Sequence, residues 1–205
     1  MRIYLVTDER LLFGKDLYRT VEAAVKGGVG MVQLREKESS TREFVERAIR
    51  LKEVLTPYGV PLIINDRVDV ALAANADGVH VGQSDMPYEM VKRLLPEGKI
   101  IGLSVESPEQ VLEANNYDLD YVAASPVFST TTKTNTIVEW GLDGLRWIRS
   151  VSRHPLVAIG GIHSNNVASI CKAGADSVAV ISAIVSADDP ERAARELLEK
   201  SGEPH

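Results

Sequence analysis

The residues with chemical potential in this sequence are grouped. Gln33-Leu34-Arg35-Glu36-Lys37 alternates polar and apolar side chains and then places two cations within three residues. Asn65-Asp66-Arg67 and Gly82-Gln83-Ser84-Asp85 each set a carboxylate among hydrogen-bonding groups. Ser104 stands by itself, Ser129-Thr130-Thr131-Thr132-Lys133 strings hydroxyls up to a cation, and Gly160-Gly161 and Ser182 complete the set. Singly, such an Asp caps a helix and such a Lys is a solvated surface charge. Jointly they describe anion chemistry. Asp66 and Asp85 suit one Mg2+ per subunit, because that ion takes one or two carboxylates and completes its shell with water and substrate phosphate. The Thr-rich run ending at Lys133 offers hydroxyls, backbone N–H groups and a cation to a polyphosphate. Gly160-Gly161 lets backbone approach a ligand with no Cβ in the way. Two phosphate regions and a carboxylate pair point to two phosphorylated substrates, or one carrying a diphosphate.

The elements that must position these groups follow from periodicity. Short β-branched runs are predicted at 3–6, 31–34, 61–64, 78–81, 100–103, 121–123, 156–159 and 177–181. Helical patterns lie between them at 16–26, 41–55, 68–74, 88–95, 108–115, 142–151, 165–172 and 191–199. Ser40, Ser107 and Asp189 read as N-caps, and Gly27-Gly28 and Gly174 as helix stops. Strands apolar enough to be covered on both faces, alternating with helices eight times, predict a single (β/α)8 TIM barrel over 1–205, with 201–205 as a frayed tail. No Gly-x-Gly-x-x-Gly follows the first strand, which argues against a dinucleotide fold. In such a barrel the active site occupies the C-terminal ends of the strands, where every one of the groups above falls.

Composition narrows the partners. With 23 basic and 29 acidic residues the net charge is −6, and no basic stripe of the kind that displaces counterions from nucleic acid is present. Nucleic acid is therefore not expected as a partner, nor is a membrane, since no apolar run approaches membrane length, and no obligate protein partner is evident. A cytoplasmic location is expected, since no leader precedes the first strand pattern. Cys171 is the only cysteine and is expected to be a small buried hydrophobe. His80, between valines in the fourth strand, is expected to be packed and hydrogen-bonded, and His154, before Pro155, to lie on a surface loop. His163 either touches a phosphate or leads into the next helix. Trp140 is expected to border the site as part of a lid, and Trp147 to pack in the core or at an interface.

The chain resembles the thiamine-phosphate synthase (thiamine-phosphate pyrophosphorylase) family over nearly its whole length. The resemblance is carried by Tyr4-Leu5-Val6-Thr7-Asp8, Gln33-Leu34-Arg35-Glu36-Lys37, Ile64-Asn65-Asp66, the run from Asp77 to Asp85, Thr130 to Lys133, Ala158-Ile159-Gly160-Gly161-Ile162, and Val180-Ile181-Ser182-Ala183. It implies a transferase that joins 4-amino-5-hydroxymethyl-2-methylpyrimidine diphosphate to 4-methyl-5-(2-hydroxyethyl)thiazole phosphate, giving thiamine phosphate and diphosphate. Carried over residue by residue, it assigns Gln33, Arg35, Lys37, Asn65, Ser104 and Lys133 to the pyrimidine diphosphate, with Lys133, Arg35 and Ser104 as catalytic residues. Asp66 and Asp85 would ligate Mg2+, and Thr130, Thr132, Gly161, Ile181 and Ser182 would hold the thiazole phosphate. The chain departs from the family's usual pattern at Glu106, Ser129 and Trp140. Two other readings stay open at this point: a thiazole tautomerase-like phosphate-binding barrel, which typically lacks counterparts of Asp85 and Lys133, and a non-catalytic thiamine-pathway binding protein.

Overall fold

The computed structural model describes residues 2–129 and 139–202. Its strands are β1 (Ile3–Val6), β2 (Met31–Leu34), β3 (Leu62–Asn65), β4 (Gly78–Val81), β5 (Ile100–Val105), β6 (Tyr121–Ala124), β7 (Leu156–Ile159) and β8 (Ser177–Val180). They pair in parallel, in sequence order, into a closed barrel, with β8 returning to β1 through Ile3↔Val178 and Tyr4↔Ala179. Closure removes the unpaired edges that an open sheet would expose.

Strand parity divides the apolar residues into two shells. Ile3, Leu5, Val32, Leu34, Leu62, Ile64, Val79 and Val81 point outward and join the large core under the helices. Tyr4, Val6, Met31, Ile63, Tyr121, Ala123, Val157 and Ala179 form a second cluster inside the barrel. Because side chains alternate with a period of two, Gln33 shares the inward phase of Met31, Asn65 that of Ile63, and Ser104 that of Gly102. The inner cluster thus becomes polar toward the C-terminal end of the strands.

The helices are α1 (Leu17–Lys26), α2 (Thr41–Leu55), α3 (Val68–Ala73), α4 (Tyr88–Leu94), α5 (Pro108–Ala114), α6 (Gly141–Val151), α7 (Val167–Lys172), α8 (Ser182–Val185) and α9 (Pro190–Ser201). The predicted caps are in place. Ser40 accepts from the Glu43 amide while the Glu43 carboxylate reaches back to the Ser40 amide, and Ser107 and Asp189 cap α5 and α9. The lower rim is held by carboxylates that accept a strand N–H: Asp77 from Leu62 at 2.7 Å, Asp120 from Ile101 at 2.8 Å and Asp176 from Leu156 at 2.8 Å.

Four expectations are corrected. Strand β5 runs on to Val105 because its ladder with β6 continues through Ser104↔Ala123 and Val105↔Ala124. Helix α7 starts at Val167, since Asn166 spends its side chain on the preceding turn, accepting from the His163 amide and donating to Gly161 O. The tail does not fray at 201: Ser201 ends α9, is buried, and its carbonyl accepts from the Arg2 guanidinium. His154 is buried rather than on the surface, with Nδ1 3.1 Å from Leu119 O and Nε2 2.9 Å from Ala114 O. Cys171 is buried in α7 as expected, and burial pushes its thiol up. Among the described residues no helix is long and apolar enough to cross a membrane.

Candidate active site

A cavity of about 930 Å3 opens at the C-terminal ends of the strands, within the range of small-molecule sites. Of the residues singled out from sequence, Gln33, Arg35, Lys37, Asn65, Asp66, Asp85, Ser104, Gly161, Ile181 and Ser182 all line it. Thr130, Thr132 and Lys133 lie outside the described residues.

The cationic side is prepared by a carboxylate to which the sequence pattern gave no role. Asp8, two residues past the end of β1, is nearly fully buried. It accepts from Arg35 Nη1 at 3.0 Å and, bidentately, from Arg10 Nε at 3.1 Å and Arg10 Nη2 at 3.0 Å. Burial opposes ionisation of Asp8, but the two guanidinium groups outweigh it and hold the carboxyl below its usual range. The Arg35 amide also donates to Thr7 Oγ1 at 3.1 Å, so its backbone and side chain are both tied to the β1 loop. Arg10 lines the cavity as well, and its only sequence signal was its place two residues after Asp8.

The carboxylate pair is assembled from the ends of β3 and β4. Asp66 adopts φ +63°, a left-handed conformation that Asp tolerates better than most residues. Its amide donates to His80 O at 2.8 Å, and its Oδ2 accepts from Lys37 Nζ at 2.7 Å. Asp85 curls back so that its Oδ2 accepts from the Gly82 amide at 2.7 Å. Burial, and then the Asp66 carboxylate beside it, push the Asp85 carboxyl up. Two oxygen ligands held together at the cost of charge repulsion suit a hard divalent cation, which would relieve that repulsion and release Lys37. Among the described residues there is no cluster of three or more His, Cys, Asp or Glu that could hold a metal ion. Mg2+, which completes its shell with water and phosphate, needs none.

Between these groups the cavity floor is polar. Gln33 donates to Tyr4 Oη at 2.7 Å, and Ser104 Oγ lies 2.9 Å from His80 Nε2. His80 is therefore packed and hydrogen-bonded, and it also lines the cavity. The Ser104 carbonyl accepts from Gln83 Nε2 at 2.6 Å, which ties the β4 loop to β5. The Asn65 carboxamide makes no hydrogen bond with a described residue.

The opposite wall is backbone. Gly160 and Gly161 take φ +106° and +64° after β7. The short helix α8 begins at Ser182, directly after β8. No sequence periodicity revealed α8, because four residues make a single turn. The amides of Gly161, Ser182 and Ala183 donate to no described residue, leaving N–H groups for an anion in the cup that barrels build after strands seven and eight. His163 reaches the cavity edge from the turn before α7. Trp140 is not part of the lining: its indole donates to Val105 O at 3.2 Å and stacks on Trp147, so it braces the exit of the β6 loop against β5. Ser129 hydrogen-bonds to Glu139 across that loop's two ends.

The comparisons with known proteins agree with this geometry. Residues 3–184 match the family model described as thiamine monophosphate synthase. The chain is 52% identical over 197 residues to the thiamine-phosphate synthase of Albidiferax ferrireducens, covering 96% of this chain and 90% of that protein. It is 49% identical over 197 residues to the thiamine-phosphate synthase of Vibrio campbellii, covering 96% of both. Among solved structures it resembles thiamine phosphate pyrophosphorylase from Pyrococcus furiosus, with a TM-score of 0.89, 41% identity, and coverage of 98% of this chain and 95% of that one. A closed barrel with the polar groups of its strand ends gathered at one mouth, and a family model spanning nearly the whole chain, place this protein in the thiamine monophosphate synthase family.

Proposed function

We propose that the protein joins 4-amino-5-hydroxymethyl-2-methylpyrimidine diphosphate to 4-methyl-5-(2-hydroxyethyl)thiazole phosphate, giving thiamine phosphate and diphosphate. The observation that carries this reading is the convergence of Arg35, Lys37, Asp66 and Asp85 at one mouth of a chain of this family. The C–O bond to the diphosphate breaks with its electron pair leaving on oxygen, and the thiazole nitrogen gives its lone pair to the pyrimidine methylene carbon. No general base is required. What the reaction needs is positive charge fixed around the leaving group before the bond breaks.

Arg35, anchored by Asp8, supplies that charge from one side, and Lys37 supplies it from the other. Lys133 adds a third cation in the same assignment. Gln33, Asn65 and Ser104 bind and orient the pyrimidine diphosphate, and Ser104 touches the reacting ring. Gly161, Ile181 and Ser182, with Thr130 and Thr132, hold the thiazole phosphate on the backbone wall. Asp66 and Asp85 would hold Mg2+, which when bound stabilises the charge that builds on the departing diphosphate. Each such electrostatic contact is worth about 3–4 kcal/mol in the transition state. In the same reading the enzyme acts on two phosphorylated small molecules in the cytoplasm, without nucleic acid or a membrane.

The test is incubation with both substrates and Mg2+, with mass detection of products. Thiamine phosphate and diphosphate should appear in equal amounts. Binding of both substrates with no diphosphate released would overturn the proposal. Asp85→Ala should abolish Mg2+-dependent turnover and leave thiazole phosphate binding nearly intact; unchanged turnover would show that the metal site is misassigned.

A further inference from the structure

Beneath the cavity, five polar side chains form one connected run across the barrel interior. Gln33 Nε2 is 2.7 Å from Tyr4 Oη, and the Tyr4 and Tyr121 hydroxyls are 2.9 Å apart. Tyr121 Oη is 3.0 Å from His80 Nδ1, and His80 Nε2 is 2.9 Å from Ser104 Oγ. The run joins β2, β1, β6, β4 and β5, so no single strand carries it. Its centre is built to fit. The Tyr121 ring stacks on His80 with centroids 5.6 Å apart and meets Tyr4 edge-on at 5.8 Å. Strand β5 gives up a side chain to seat that ring, since a Cβ on Gly102 would lie 2.1 Å from Tyr121 Cζ.

The run is directional. Burial keeps both phenols protonated, so each hydroxyl has one proton to give. Gln33 Nε2–H donates to the Tyr4 oxygen, and the arrangement that then leaves neither buried phenol proton unpaired sends the Tyr4 proton to the Tyr121 oxygen. In that arrangement the Tyr121 proton goes to His80 Nδ1, which makes the ring the neutral Nε2–H tautomer. A neutral imidazole that accepts at Nδ1 carries its proton at Nε2 and gives it to Ser104 Oγ. Two groups are left over at the ends, the Gln33 Oε1 and the Ser104 O–H. Neither has another hydrogen-bond partner among the described residues, and both residues line the cavity. The two ends of the run thus turn an acceptor, Gln33 Oε1, and a donor, Ser104, toward the cavity, beside the second Gln33 N–H and the Asn65 carboxamide.

We propose that Tyr4, Tyr121 and His80 are positioning residues that lock Ser104 as a donor and Gln33 as an acceptor, and so select an aromatic heterocycle with an exocyclic amine beside a ring nitrogen. This rests on the reaction proposed above for the identity of the ring. The amine donates to Gln33 Oε1 and the ring nitrogen accepts from Ser104. A ring with a carbonyl in place of the amine carries its proton on the adjacent nitrogen, which sets acceptor against acceptor and donor against donor. Rejection by unpaired buried polar groups is a strong form of discrimination.

Tyr121→Phe keeps the ring and removes one link. The kcat/KM for the pyrimidine diphosphate should fall about tenfold, the effect of losing one net hydrogen bond. The KM for the thiazole phosphate should not move. In a Ser104→Ala background the same substitution should cost clearly less, because only the Gln33 arm of the run is left to act. Equal losses in both backgrounds, or no loss in either, would overturn the proposal. Should Tyr121→Phe fail to fold, the 15N spectrum of the His80 ring in the wild-type protein decides the matter without turnover. It should show a bare Nδ1 and a protonated Nε2, and a proton on Nδ1 would refute the stated polarity. A wild type that makes no product would sink the reaction assignment, while the His80 spectrum would still judge the run.

Discussion

Replacing Gly161 with alanine tests whether the backbone wall of the cavity is as constrained as its geometry indicates. Gly161 sits at φ +64°, where an L-residue pays about 1–2 kcal/mol. A Cβ there would also lie 2.8 Å from Phe128 Cβ and 2.9 Å from Ser129 O. Neither neighbour is the loose end of a long side chain, so relief requires backbone movement, at an overpacking cost of about 1–3 kcal/mol. The sum is about 2–5 kcal/mol, and Gly59 provides the control that splits it. Gly59 has φ +65°, and a methyl group added there would meet nothing within 4 Å, so Gly59→Ala carries the backbone cost alone.

The clash can be relieved by moving the turn at 160–163 or the loop at 126–129, and both border the proposed thiazole phosphate site. Gly161→Ala should therefore lower kcat/KM for the thiazole phosphate by about 30-fold or more, with the KM for the pyrimidine diphosphate within about threefold, since about 2 kcal/mol is a factor of 30. Gly59→Ala should leave both constants unchanged and lower Tm by about 2–8 °C, and Gly161→Ala should melt lower still. Steady-state kinetics with each substrate varied in turn, beside thermal melts of the two variants, make the comparison. If Gly161→Ala matched Gly59→Ala in both measurements, the close approach would not constrain the wall and the reasoning would fail.

Four further outcomes are expected. Asp8→Asn should lower kcat/KM for the pyrimidine diphosphate about tenfold in steady-state assays, because Arg35 would trade a charge-assisted hydrogen bond for a neutral one, a difference of about 1–1.5 kcal/mol. His154→Phe should destabilise the fold by about 1–3 kcal/mol in urea unfolding without altering kinetics, since it takes the side-chain partner from the Leu119 carbonyl, while the Ala114 carbonyl keeps the Tyr117 amide. Mg2+ affinity, measured by calorimetry, should weaken by up to tenfold per pH unit on acidification, beginning above the ordinary carboxylate value of 3.8, because the raised Asp85 must lose its proton to bind the ion. Without metal, Asp85 itself should show the opposite sign in stability. Its folded pKa is raised, so its contribution is fully present below 3.8 and is lost as pH rises through the folded value.

What the sequence made legible was whatever a strand announces at its own end. Arg35, Lys37, Asp66 and Asp85 follow β-branched runs at barrel spacing, and the structure brings them to one mouth. The roles that stayed hidden belong to residues whose partners lie on other strands. Tyr4 and Tyr121 are 117 positions apart and read as ordinary strand aromatics, yet closure of the barrel puts their hydroxyls in contact. His154 looks like a loop residue because Pro155 follows it, and only the packing of α5 against the β6 entry supplies its two carbonyls. Asp8 carries no local sign of its task, since one of its two cations, Arg35, comes from the end of a different strand. One local signal does point inward. Gln33, Asn65, His80 and Ser104 all stand at inward parity on otherwise apolar strands, where a polar side chain is costly unless it meets a partner or a ligand. Four such residues on four strands imply that the barrel's interior is part of the site, because a purely structural interior would have been filled with aliphatic side chains.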